Sequence, residues 1–107
     1  MGRVARLRPQ RLPEKLRQIR EAFGLSQSDM LKRLGFDEDI WYTQISGYEL
    51  GRSEPPLLIL LEYARAANVY VEALIDDNLD LPDSLPSPTK SEGVARRPAS
   101  RSRSKIR

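Results

Sequence analysis

The chain predicts an all-α domain of five short helices, and three observations carry that expectation. Apolar residues recur at helical spacing in successive stripes, beginning with Leu16, Ile19 and Phe23. Helix punctuation stands between the stripes: Pro13, Ser26 and Pro55-Pro56 suit helix starts, while Gly35, Gly51 and Asn68 suit stops. Finally, 107 residues with a 39% apolar share are enough for one modest core but not two.

The elements follow in order. The first helix is expected over about 13–23, with Leu16, Ile19 and Phe23 on one face and Arg17 and Glu21 on the other. The second is capped by Ser26, with Asp29 three residues on completing a capping box. It stops at Gly35, which enters the left-handed region cheaply, and Met30, Leu31 and Leu34 form its buried side. Residues 36–39 read as a surface loop anchored by the ring of Phe36. A third helix starts between Asp39 and Tyr42 and runs through Ile45 and Tyr48 to Gly51. A fourth follows Pro56, buries Leu57, Leu60, Leu61 and Ala64, and ends near Asn68. A fifth, Val71 to Asp77, closes the core with Val71, Leu74 and Ile75. Two short helices joined by a tight, glycine-bearing corner are the helix-turn-helix unit that reads DNA, so sequence-specific binding to double-stranded DNA is the expected function.

Composition excludes much else. There is no cysteine or histidine, which removes zinc fingers, thiol nucleophiles, disulfides and the ordinary catalytic imidazole. No catalytic, metal or cofactor constellation stands out, so no cofactor and no enzymatic activity are expected. The longest apolar run, Leu57 to Leu61, is far short of a membrane span, and the N-terminus lacks a signal-peptide core, so a cytoplasmic location is expected.

Charge is unevenly distributed. Residues 1–11 carry four arginines and no acid; residues 12–85 carry seven bases and fourteen acids; residues 86–107 carry seven bases and one acid. The expected organisation is a basic arm over 1–11, a folded domain over 12–80 and a Pro/Ser/Arg-rich tail over 81–107, disordered from about 86 onward. Arg3, Arg6, Arg8 and Arg11 suit either an arm following the minor groove or a solvated terminus. The tail suits sequence-independent attraction to a polyanion. Asp76, Asp77, Asp80 and Asp83 lack calcium-loop spacing and read as a solvated acidic rim.

Three segments, LRQIREAFGLSQ (16–27), ISGYELGRSEPP (45–56) and LLEYARAANVYVEALI (60–75), together resemble the phage-repressor-like helix-turn-helix proteins, the Cro-repressor or Xre type, over about 12–78. The resemblance implies that Ser26 and Gln27 face DNA phosphates at the start of the second helix. It implies that Arg52 touches the backbone and that Arg20 pairs with Glu49 beneath the two helices. Two departures stand out. Leu31 occupies a position where the family usually has a small residue, and the interval from Gly35 to Ile45 is four residues longer than usual. Either Asp37 to Ile40 bulge outward, or the third helix gains a turn that projects Trp41 and Tyr42 toward the groove.

With Ile45 and Tyr48 turned inward, Tyr42, Thr43, Gln44, Ser46 and Gly47 are the candidate DNA-facing positions of the third helix. Gln44 suits an adenine edge, Thr43 a thymine methyl, and Gly47 close approach. Trp41 either stacks in a groove wall or covers the core beneath the inserted turn, the second being favoured. Leu58 and Ile59 make the fourth helix apolar nearly all round, which points to a homodimer seam unless Leu81 to Leu85 folds over it. The reading that results is a repressor-like transcriptional regulator. The alternative is an antitoxin-like or other protein-interaction module on the same fold, which the acidic middle of the chain favours.

Overall fold

A computed structural model describes residues 7–90, and its five helices are α1 (Leu12–Ala22), α2 (Gln27–Leu34), α3 (Tyr42–Glu49), α4 (Leu57–Ala67) and α5 (Val71–Ile75), with no strand among the described residues. Arg3, Arg6 and the tail from residue 91 lie outside this range.

α1 packs on α3, α4 and α5, and α2 packs on α3 and α4, so that α3 is clamped between the first two helices. Leu16, Ile19, Met30, Ile45, Tyr63 and Leu74 meet in the fully buried centre. Each helix supplies one apolar stripe, which is the burial that stabilises helices too short to persist alone.

The local signals act largely as expected. Gly35 adopts φ 88°, and its N–H bonds the Leu31 and Lys32 carbonyls, ending α2; Asn68, at φ 55°, ends α4 in the same left-handed way. The Ser26 hydroxyl accepts the Asp29 N–H at 3.1 Å, but no reciprocal bond from Asp29 forms among the described residues, so only half of the capping box is present. Aspartate is one methylene shorter than the glutamate that normally reaches back. α5 stops at Ile75 rather than Asp77, because Asp76 turns extended and its carboxylate accepts the Asn78 N–H at 2.9 Å, a local alternative to another helical turn.

Four expectations are corrected. Trp41 does not cover the core; it is 77% exposed, and Phe36 and Ile40 pack against the core instead. Ile59 is 4% exposed and belongs to the core, whereas Leu57 (82%) and Leu58 (68%) face outward. The fourth helix therefore has a conventional buried face, and its outward apolar pair lies one residue earlier than periodicity suggests.

The third correction concerns the boundary at 80. Leu81 is buried and Leu85 packs on the core. Ser87 donates its N–H to the Ala67 carbonyl, Asn68 donates its amide to the Ser87 carbonyl, and Lys90 lies 5.3 Å over the Tyr70 ring. The chain through residue 90 thus straps the end of α4, since two leucines and an asparagine partner suffice to hold a segment that lacks helical periodicity.

The fourth concerns both the N-terminal arm and the acidic rim. Arg8 pairs with Glu54 at 3.5 Å, and Arg11 bonds Asp80 at 2.8 Å and the Asp77 carbonyl at 3.0 Å. Asp77 in turn accepts the Gln10 and Arg11 N–H groups, both at 2.9 Å. Of the expected rim, Asp77 and Asp80 fasten residues 10 and 11, while Asp83 stays exposed and Asp80 is itself well exposed. Lys15, beside them, is fully buried and donates to the Ala73 and Asp76 carbonyls at 2.7 and 3.0 Å, satisfying the end of α5. Burial, with Arg11 adding to it, pulls the Lys15 pKa below the ordinary lysine value.

Candidate nucleic-acid interface

The first turn of α2 and the start of α3 meet in one cleft, lined by Ser28 and Tyr42. Ser26 sits in extended backbone at the cap of α2 and is exposed, as is Ser28, leaving the first helical N–H groups at the surface. That end of a helix carries positive partial charge and suits an anion. The Gln27 side chain, however, turns inward and donates to Glu49 Oε1 at 3.3 Å. Its amide ties α2 to the last turn of α3, a role no sequence periodicity signals.

Four inserted residues precede α3 and form a compact turn of their own. The Asp39 and Ile40 N–H groups both bond the Phe36 carbonyl, at 2.9 and 3.1 Å. α3 begins at Tyr42 and remains eight residues long, so the extra residues bulge and add no helical turn. Leu31, the bulkier residue on α2, is buried and lines the same cleft as Ile40 and Trp41. The Trp41 carbonyl then accepts the Gln44 N–H at 2.9 Å and opens the helix.

Ile45 and Tyr48 are buried, and Tyr42, Thr43 and Gln44, in the first turn of the helix, are exposed. Ser46 and Gly47 are half-buried. A Cβ at Gly47 would stand 3.2 Å from Ser53 Oγ, and the Gly47 carbonyl accepts the Arg52 and Ser53 N–H groups. The loop after α3 therefore crosses Gly47, and this internal close approach accounts for the glycine. Gly51, at φ 77°, turns the chain back to make that crossing. It leaves Arg52 exposed at the foot of α3, with no ion pair among the described residues.

Beneath the surface Arg20 grips Glu49 with two bonds of 2.7 and 3.0 Å and also donates to the Leu25 carbonyl at 2.9 Å. The hydrogen bond to Glu49 holds the Arg20 pKa above its ordinary value. Tyr63 lies fully buried close by; desolvation, reinforced by the Glu49 charge, pushes its pKa far up, and its hydroxyl has no partner among the described residues.

This arrangement also shows where the acidic charge of the chain goes. Glu14, Glu21, Glu49, Glu54, Glu62 and Asp80 are all matched with arginines. On the outward side of α2, Arg33 lies 4.8 Å over the Phe23 ring and Lys32 is exposed. Lys32, Arg33 and Arg52 thus remain without carboxylate partners among the described residues, around α2 and α3. No group of residues among those described is disposed to hold a metal ion.

Two short helices crossing at a fixed corner, the second showing a polar face and a basic residue at its foot, define a helix-turn-helix DNA-binding domain. A family model for helix-turn-helix proteins matches residues 16–74, more than half of the chain, and the chain belongs to that family, the Cro-repressor or Xre type. It is a family of DNA-binding transcription regulators. Comparison with curated proteins and with solved structures gives no match. No helix among the described residues is long and apolar enough to cross a membrane.

Proposed function

We propose that the chain is a sequence-specific transcriptional repressor that occupies an operator as a dimer, with α3 in the major groove. The carrying observation is the continuity of exposed Tyr42, Thr43 and Gln44 with the capped start of α2 on one side and unpaired Arg52 on the other. Gln44 reads an adenine edge and Thr43 meets a thymine methyl. Ser26, the backbone N–H of Gln27, Ser46 and Arg52 hold the phosphates, and Gly47 lets the loop bearing Arg52 come close. The exposed Leu57-Leu58 pair forms the seam between two copies, in keeping with half-sites one helical turn apart.

The test compares a duplex selected from a random library with an unselected one across a salt series. Gln44→Ala and Thr43→Ala each weaken the selected duplex by about 1–3 kcal/mol and barely affect the unselected one. Arg52→Ala weakens both and reduces the salt slope by about one unit. Equal losses on both duplexes for Gln44→Ala remove its base-reading role. The pair Leu57→Glu and Leu58→Glu gives a folded monomer with weaker binding to the selected duplex; a monomeric parent in sedimentation retires the seam.

A further inference from the structure

The largest exposed aromatic group on the protein is unexplained by its packing. Trp41 is 77% exposed although the core beneath it is closed by Phe36 and Ile40. Its backbone is held on both sides: the turn before it is bonded to the Phe36 carbonyl, and its own carbonyl opens α3. Trp41 and the neighbouring Tyr42, 50% exposed, together present two aromatic rings to water on a fixed backbone, and contact surfaces concentrate such aromatic area.

From these observations we infer that Trp41 is a further base-contacting residue, whose indole meets thymine methyl groups in the groove that α3 enters. The inference rests on the DNA-reading role of α3 and extends it to the inserted turn. Trp41 is the residue immediately before Tyr42, Thr43 and Gln44, so its ring continues their exposed surface toward the end of the helix that enters the groove. A cleft of about 220 Å³ joins it to Tyr42, to Ser28 and Lys32 of α2 and to Asp37 of the turn, so the ring belongs to the same surface as the start of α2 and the start of α3. The turn itself is suited to base edges and not to the backbone: exposed Asp37, Glu38 and Asp39 repel phosphates, whereas an indole face packs on methyl groups and carboxylates accept from cytosine amino groups.

Trp41 is the single tryptophan of the chain, so its emission reports the contact directly. The full chain is titrated with the selected duplex while a dye on the DNA reports binding by anisotropy. The expected result is a change in tryptophan emission, with protection from acrylamide, over the same concentration range. Replacing thymidine by deoxyuridine at successive positions lowers affinity about tenfold at one or two of them, the size of a single lost base contact. Trp41→Ala, with an unchanged unfolding temperature, loses the deoxyuridine effect at a position where Thr43→Ala retains it, and keeps the discrimination supplied by Gln44. Binding by anisotropy with unaltered emission and acrylamide access overturns the inference, as does an emission change without any thymidine-to-deoxyuridine effect. Absence of binding even at low salt instead overturns the DNA-reading role of α3, and the contact with it.

Discussion

Arg20 of α1 and Glu49 of α3 face each other in a two-bond ion pair whose carboxylate side chain is only 4% exposed, so the last turn of the proposed recognition helix is fastened to the first helix of the fold. Gln27 shares the same carboxylate, which makes Glu49 the meeting point of three helices. Removing one partner strands the other charge in a poorly hydrated site. Glu49→Ala is therefore expected to lower unfolding stability by about 3–5 kcal/mol, while Arg20→Met with Glu49→Leu recovers most of that loss. Chemical denaturation of the parent and the two variants checks it; equal stability of single and double variants contradicts the burial argument.

Lys15 makes a different kind of joint. Its ammonium group closes two carbonyls at the end of α5, and Lys15→Met leaves both without that donor. The expected loss is about 1–3 kcal/mol, the usual penalty for unsatisfied buried groups. Amide exchange in α5 should accelerate before exchange in α2 and α3 does. Uniform acceleration would mean that α5 does not open separately.

Truncation separates the strap from the tail. Deleting 91–107 is expected to leave unfolding unchanged, yet it removes six bases and one acid and takes the net charge from +3 to −2, so affinity for unselected DNA should fall steeply. Deleting 81–107 also removes Leu81 and Leu85 and is expected to cost a further ~2–3 kcal/mol. Identical unfolding curves for the two truncations would show that the strap contributes nothing to the fold.

Acid should release the N-terminal segment. The N–H groups of Gln10 and then Arg11 bond the Asp77 carboxylate and hold its pKa below the usual carboxylate range. A depressed folded value means that this contribution is complete above the unfolded pKa and disappears as pH falls through the folded one. Stability of the parent chain should therefore decline in that acidic interval more steeply than that of Asp77→Ala. Parallel curves for the two proteins would remove Asp77 from the account.

The sequence by itself determined the five helices, their stops at Gly35 and Asn68, the family and the outward side of α3, because each is written in neighbouring residues: a 3.6-residue stripe, a cap, a left-handed stop. The pairing of Arg20 with Glu49 was legible too, but only through the family resemblance. What only the tertiary structure decided are relationships between residues far apart in the chain. Whether Asp37 to Ile40 bulge or lengthen α3 depends on Phe36 and Ile40 finding room on the core. Ile59 rather than Leu57 faces inward because the start of α4 is aimed by the Pro55-Pro56 entry and the packing of α2, not by its own nearly uniform apolar run. Lys15 and Asp77 look like ordinary surface residues in sequence, and Gln27 like a phosphate contact; their partners lie 22 to 67 positions away, and long-range polar contacts of that kind leave no periodic trace.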